Sequence, residues 1–371
     1  MAENKPVNRT AIVLALLGVM VVSILVYVFS LGGDQSAGSG DSTPEAPPPF
    51  EKPASEVLVA NVGSNAVVGY AIDGSTGLVA DVTTPSRVIG GSLNPGSWVG
   101  IRSPFGVTVD SGGKIFVSNQ GDAASPPSVT LFPADADGPT PNYDIHTGPA
   151  AQLSKPQGIV LRRNPRALLV SNWIDPPVAG QFSGVLEFST QSGMNAPTGQ
   201  IAGVATTIST PMGVALDAST NVYVVDAASD RVLIFQPQPG TRSNGAPIGV
   251  ISGDQTMLDR PAHVAIDGLG NVYVSNLRSN KSKPGYVTIF PPNSNGNVAP
   301  VRVLGVPGAS LGTTQLRQPI GVAVHARGTL FVTQDDELLV FASSASGNDA
   351  PLQRIQHPGL NYATAVSVRD P

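Results

Sequence analysis

Cysteine is absent from this chain of 371 residues, which excludes disulfides, thiolate zinc sites, cysteine nucleophiles and lipidated cysteines. Any attachment to a membrane must therefore be made of polypeptide. Charge is also scarce, at 13% of residues, with 21 Lys and Arg against 26 Asp and Glu. A formal net charge of −5 with no basic excess lacks the electrostatic footprint of a nucleic-acid binder. P-loop, nucleophile-elbow, H-E-x-x-H and EF-hand patterns are missing, so no catalytic signature of those classes is offered. Histidine occurs four times and tryptophan twice. What the chain has in quantity is glycine (41), proline (34) and 41% hydrophobic residues, the composition of short apolar strands separated by many turns.

One long apolar run stands apart. "AIVLALLGVMVVSILVYVFSL", residues 11–31, carries no charge over 21 residues, enough as a helix to cross about 30 Å of hydrocarbon. It exceeds the apolar core of about 7 to 15 residues usual in a cleaved signal. Lys5 and Arg9 precede it and Asp34 follows, so the positive-inside rule keeps residues 1–10 as a cytoplasmic tail and sends the remainder to a periplasmic or extracellular compartment. Residues 32–55, rich in Gly, Ser and then Pro, have the composition of a stalk without a core of its own.

From residue 56 to 371 the sequence repeats. "PFGVTV" at 104, "PQGIVL" at 156, "PMGVAL" at 211, "PAHVAI" at 261 and "PIGVAV" at 319 recur at intervals of 50 to 58 residues, one supersecondary unit per period. Each is followed by a turn and a strand such as "NVYVSN", a third strand such as "YVTIF", and a short fourth after a proline turn. These four strands form an antiparallel meander that cannot bury both faces alone, whereas copies arranged radially can. Residues 57–89 hold a second, third and fourth strand without a first, and "ATAVSV", 363–368, supplies one at the other terminus. The expectation is an all-β, six-bladed propeller closed by strands from both ends, preceded by one transmembrane helix.

The run "PMGVALDASTNVYVVDAASDRVLIF", 211–235, resembles the NHL repeat, and the likeness extends over essentially all of 56–371. The resemblance implies the six-bladed fold. It leaves function open, because NHL-like propellers and their relatives include binding modules, lyases and metal-dependent lactonases.

Strand geometry places the start of each first strand and the end of each second strand on one face. That face gathers Asn61, Asn119, Asn172, Asp226, Asn276 and Gln334, either as caps of the turns that follow or as oxygen ligands for Ca²⁺, with Asp226, Asn172 and Asn276 the metal candidates. His263 stands where the other four repeats have Gly and is the candidate general base. His146 falls after a fourth strand, His325 at the far end of a first strand and His357 before the closing strand; Glu187 and Glu337 lie in third strands. None of the three histidines has a metal-ligand spacing, and the two glutamates are expected away from the axis. Trp98 and Trp173 are expected in loops on the same face, beside Arg278, Lys281 and Lys283 of the 276–285 loop. Together they suit a protein or glycan partner, with aromatic area at the centre and charge at the rim. The reading is an anchored binding or scaffold module; the alternative is a propeller lyase or lactonase-type hydrolase working through His263.

Overall fold

The computed structural model describes residues 53–90, 100–142, 144–176, 178–179, 181–191, 195–236, 238–278, 280, 282–306 and 311–370. The expected tail, span and most of the stalk lie outside these residues, as do Trp98 and Lys281. Among the described residues no helix is long and apolar enough to cross a membrane. The chain divides into a unit of residues 1–49 and a unit of residues 50–371, and the second is the one described here.

Residues 53–370 form a six-bladed β-propeller. Blade 1 is built in the order Ala363–Arg369, Glu56–Asn61, Ala66–Ala71, Arg87–Gly90, so the innermost strand comes from the carboxy terminus. Glu56 pairs with Arg369 and Asn61 with Ala363, an antiparallel register that closes the ring and removes two strand edges. Blade 2 runs Pro104–Val109, Ile115–Asn119, Ser128–Phe132, Asp144–Thr147. Blade 3 comprises Lys155–Arg163, Arg166–Trp173, Gly184–Phe188 and Gly199–Ala202, and blade 4 comprises Pro211–Leu216, Val222–Asp226, Arg231–Phe235 and Gly249–Ser252. Blade 5 follows with Pro261–Ile266, Val272–Asn276, Tyr286–Phe290 and Arg302–Leu304, and blade 6 with Val322–Val324, Leu330–Gln334, Glu337–Phe341 and Gln353–Gln356.

The core is a set of wedges between neighbouring blades. Leu58, Val67, Val107, Ile115, Val117 and Phe132 fill the space between blades 1 and 2, and Val57, Tyr70, Phe331, Leu338 and Val340 fill that between blades 6 and 1. The aromatic residue ending the third strand of blades 2 to 6 anchors these wedges, because Phe132, Phe188, Phe290 and Phe341 are fully buried and Phe235 nearly so. Period-2 alternation gives each central strand two buried faces, one toward each neighbour, which is why Glu56–Asn61, Ile115–Asn119 and Val272–Asn276 are buried at every position.

Two devices absent from the sequence reading finish the ring. Fourth strands would expose their edges, but several meet the loop between third and fourth strands of the next blade in parallel: Ile89 with Gly138, Ile251 with Gly296, Leu304 with Gly347, and Gln200–Ile201 with Arg242–Ser243. Near the axis, hydroxyls of one blade bond backbone carbonyls of the next. Ser118 Oγ donates to Gln157 O, Ser171 Oγ to Met212 O, Ser275 Oγ to Ile320 O and Thr364 Oγ1 to Pro104 O.

Close approach of the first strands explains the repeated glycine. A Cβ on Gly106 would stand 2.5 Å from Gln157 O, and one on Gly213 would stand 2.6 Å from His263 Cα. Both contacts are with backbone, so neither can relax by a side-chain rotation. His263 takes this position in blade 5. In the next blade the regular first strand begins at Val322, whereas its sisters in blades 2, 4 and 5 begin at the proline; Ile320 N–H and Gly321 O still pair with the backbone of Thr333.

Candidate functional site

The site is built on the face where first strands start and second strands end. Pro104 pairs with Asn119, Pro156 with Asn172, Pro211 with Asp226 and Pro261 with Asn276, so each pair holds the next residue of either strand at the rim of the axis. Over blades 2 to 5 those residues enclose a cavity of about 420 Å³, within the range of roughly 300 to 1,000 Å³ usual for ligand sites. Its floor is made by the residue after the proline, Phe105, Gln157 and Met212, and its wall by the residue after the second-strand Asn or Asp, Gln120, Trp173, Ala227 and Leu277. Neither position is distinguished by the glycine–histidine comparison, which looks one residue further along the first strand. The signal that sequence offers there is variation: the residue between proline and the glycine or histidine is Phe105, Gln157, Met212, Ala262 and Ile320 in turn.

Trp173 lines this cavity and is the last residue of a second strand, not part of a loop. Its ring carries Lys155 Nζ at 4.8 Å, a cation–π contact, and Lys155 is ion-paired with Asp175. The indole is therefore oriented by protein groups. Gln157 is 4% exposed and its Oε1 is buried without a hydrogen-bond partner. An unmatched buried amide costs roughly 1–3 kcal/mol, so the floor of this cavity holds a polar group whose bonding is unspent. Arg260 and Asp230 stand at the rim, Asp230 Oδ1 accepting from the Arg260 backbone N–H.

The ring of amides and carboxylates has a different orientation from the expected one. The caps were expected to bond the turn that follows; five of the six bond the connector that precedes their own blade, while Asn61 donates to Val59 O and has its Oδ1 buried without a partner. Asn119 Oδ1 accepts from Arg102 N, Asn172 Oδ1 from Ser154 N, Asn276 Oδ1 from Asp259 N and Gln334 Oε1 from Arg317 N. Asp226 accepts from Ser209 N and Thr210 N on one oxygen and from the Arg231 guanidinium on the other. Each pins the residue two before the blade's proline. The connectors repeat in sequence too, as "GPAAQLSKP" at 148, "GVATTISTP" at 203 and "GDQTMLDRP" at 253, with a 3-10 turn at Pro149–Ala151, Val204–Thr206 and Asp254–Thr256. A cation at Asn172, Asp226 and Asn276 would compete for oxygens that already accept amides. Among the described residues, no group of three or more His, Cys, Asp or Glu side chains converges.

His263 lies between blades 5 and 6 near the axis. Its backbone N–H donates to Ser275 Oγ at 3.0 Å, and its Nδ1 is buried without a partner. Burial pushes the imidazole pKa down to about 4, against a weaker upward pull from a backbone hydrogen bond at Val322, so the ring is neutral at pH 7. The other histidines are elsewhere. His146 is inside the fourth strand of blade 2, not after it, with its ring 4.9 Å from that of Phe188. His325 meets Asp370 at 3.0 Å on the opposite end of blade 6, and His357 caps its own turn through Gly359 N.

The basic loop is less available than its charge suggests. Arg278 lies over the Tyr286 ring at 5.4 Å with Nε 3.4 Å from Asp259, and its side chain is only 16% exposed. Lys283 is exposed. The structure thus brings Trp173 to the cavity and turns Arg278 into the body of blade 5.

Fold and site together define a six-bladed propeller with a cavity on its central face. No family model matches the chain, and no curated protein matches it. Solved structures do resemble it. A chain of a nidogen/laminin complex aligns with a TM-score of 0.54 at 13% identity, covering 85% of this chain and 98% of that one. A protein of unknown function from Bacteroides caccae aligns at 0.54 with 12% identity over 85% and 99%. A periplasmic gluconolactonase of Pseudomonas aeruginosa aligns at 0.52 with 13% identity over 85% and 99%. At such identities the likeness carries the fold alone.

Proposed function

We propose that this chain is an exported, single-pass anchored propeller, NHL-like in its repeats, that binds a protein or glycan partner in the central-face cavity without bond chemistry. The observation that carries the reading is the cavity itself, where Phe105, Trp173, Met212 and Leu277 supply apolar area around one unspent amide, Gln157. Buried aromatic and aliphatic anchors within a polar rim are the energetic centre of most partner sites. The nidogen/laminin likeness is in keeping with a propeller that works by association. The uncharged run at 11–31 and the basic residues ahead of it support the anchor and the export of the propeller.

The test is to apply the purified chain to a glycan array and a peptide array in parallel with Trp173→Ala and Met212→Asp variants. The reading expects ligands on one array to be retained by the parent and lost by both variants. Equal retention by parent and variants would place recognition away from the cavity and overturn it. In the producing cell, carbonate-resistant sedimentation with membranes and protease access to the propeller from outside are expected; release by carbonate would remove the anchor.

A further inference from the structure

We propose that the cavity takes an extended peptide segment, one backbone amide of which pairs with the Gln157 carboxamide while an adjoining bulky apolar side chain lies against Trp173, Phe105 and Met212. This rests on the reading of the central face as a binding surface and goes beyond it in choosing the partner's chemistry.

The choice follows from what Gln157 offers and what surrounds it. A carboxamide presents N–H donors and a carbonyl acceptor side by side. Its complement is a group with the same pair reversed, and one residue of an extended chain is such a group, since its N–H and C=O point to the same side as they do across a sheet. Gln157 lines the cavity and is 4% exposed, its Oε1 buried without a protein partner, so a turn of the carboxamide toward an arriving amide gives up no protein hydrogen bond. The cavity it lines is otherwise walled by the apolar Phe105, Trp173, Met212, Ala227, Pro261 and Leu277 and by the polar Gln120, Lys155, Thr210, Asp230 and Arg260. A peptide places its own apolar side chain there.

The recognition group is also held in advance. Gln157 lies in the first strand of blade 3, Lys155–Arg163, and its carbonyl is clamped by Ser118 Oγ of blade 2. Trp173 closes the second strand of the same blade, its ring oriented by Lys155. The two groups that would meet backbone and side chain thus sit on paired strands, Pro156 opposite Asn172, and little ordering is left for the ligand to impose.

The probe is N-acetyl-L-phenylalanine N-methylamide, one apolar side chain between two peptide groups, titrated into the full chain and followed by tryptophan fluorescence. Saturable binding with a Kd of about 0.1–10 mM is expected for so small a ligand. Gln157→Met keeps the volume and removes the amide; it should weaken the probe about tenfold without lowering the melting temperature, because no protein hydrogen bond is lost. A probe methylated on its amide nitrogens should lose affinity on the parent and lose nothing further on Gln157→Met. Methyl glucoside and glucuronate are run beside it. Equal binding of the diamide by parent and Gln157→Met, equal binding of the methylated probe, or no saturable diamide binding overturns the peptide assignment. If a sugar binds instead and Trp173→Ala abolishes it, the binding-face reading survives and the peptide assignment falls; if the diamide binds undiminished in Trp173→Ala, both fall.

Discussion

Replacing Glu56 by alanine strikes the point where the two ends of the propeller meet. Glu56 and Arg87 have fully buried side chains, joined by Arg87 Nε to Oε1 at 2.8 Å and Arg87 Nη2 to Oε2 at 2.5 Å. Ser86 Oγ adds a bond to Oε1, and Arg369 of the closing strand approaches Oε2 at 3.9 Å. Glu56 therefore ties its own strand to the fourth strand of blade 1 and to the carboxy-terminal strand. Glu56→Ala takes the Glu56 carboxylate away from the buried Arg87 guanidinium, a loss of about 3–5 kcal/mol for breaking one side of such a pair. With an unfolding entropy of roughly 2.1 cal/mol/K per residue over about 320 residues, that corresponds to a drop of about 4–8 °C in Tm. Scanning calorimetry of parent, Glu56→Ala and Glu56→Leu/Arg87→Met measures it. The double variant should recover most of the loss, because an apolar pair of similar volume needs no counter-ion, but not all, since Arg87 also donates to Ala134 O and Ala136 O. A Glu56→Ala protein that melts with the parent would refute the argument.

Other consequences are equally direct. The His263 pKa is about 4 in the fold and about 6.5 in the unfolded chain, so between these values the unfolded state binds a proton that the native state refuses. Stability contributed by the neutral ring is whole above about pH 6.5 and falls as pH drops toward 4, by about 3 kcal/mol in all; His263→Gly should flatten that part of the stability–pH curve, and an unchanged slope would contradict it. Gly106→Ala should destabilise by about 1–3 kcal/mol because the new methyl would stand 2.5 Å from Gln157 O, whereas Gly74→Ala meets nothing within 4 Å and should be neutral or slightly stabilising in the same urea titration. Ser275→Ala, which removes the bond to Ile320 O, should cost about 1 kcal/mol and increase hydrogen exchange at the seam between blades 5 and 6; protection equal to the parent's would show that the seam does not depend on it.

Much of the fold was legible because a propeller repeats its own hydrophobic pattern. In blades 2 to 6 the proline at or just before the first strand and the Phe ending the third each have one physical role, so five imperfect copies reinforce one another, and the closing strand 363–368 completes the sixth. The site was less legible because ligand-facing residues are the ones the repeat does not constrain. Attention to His263 follows from its contrast with glycine, yet that position faces the neighbouring blade, while Gln157, Met212 and Phe105 just before it face the cavity. Trp173 was expected in a loop and ends a strand instead, since a second strand extended through Asn172 has no sequence mark at its stop. The Asn and Asp residues looked like turn caps from local pairing rules; their partners, such as Arg102 N for Asn119, lie on connectors up to twenty residues away in sequence, beyond the reach of those rules.

Occupation of the central-face cavity can be read directly at a methionine. Of five methionines in the chain, Met212 lines the cavity, while Met257 belongs to the connector ahead of blade 5, its carbonyl bound by the Tyr286 hydroxyl. With ¹³C-methyl-labelled methionine, titration with an array-selected ligand should move the Met212 signal in a saturable way and leave Met257 in place. Saturable binding that leaves Met212 unmoved would contradict the claim that this cavity is where the protein meets its partner.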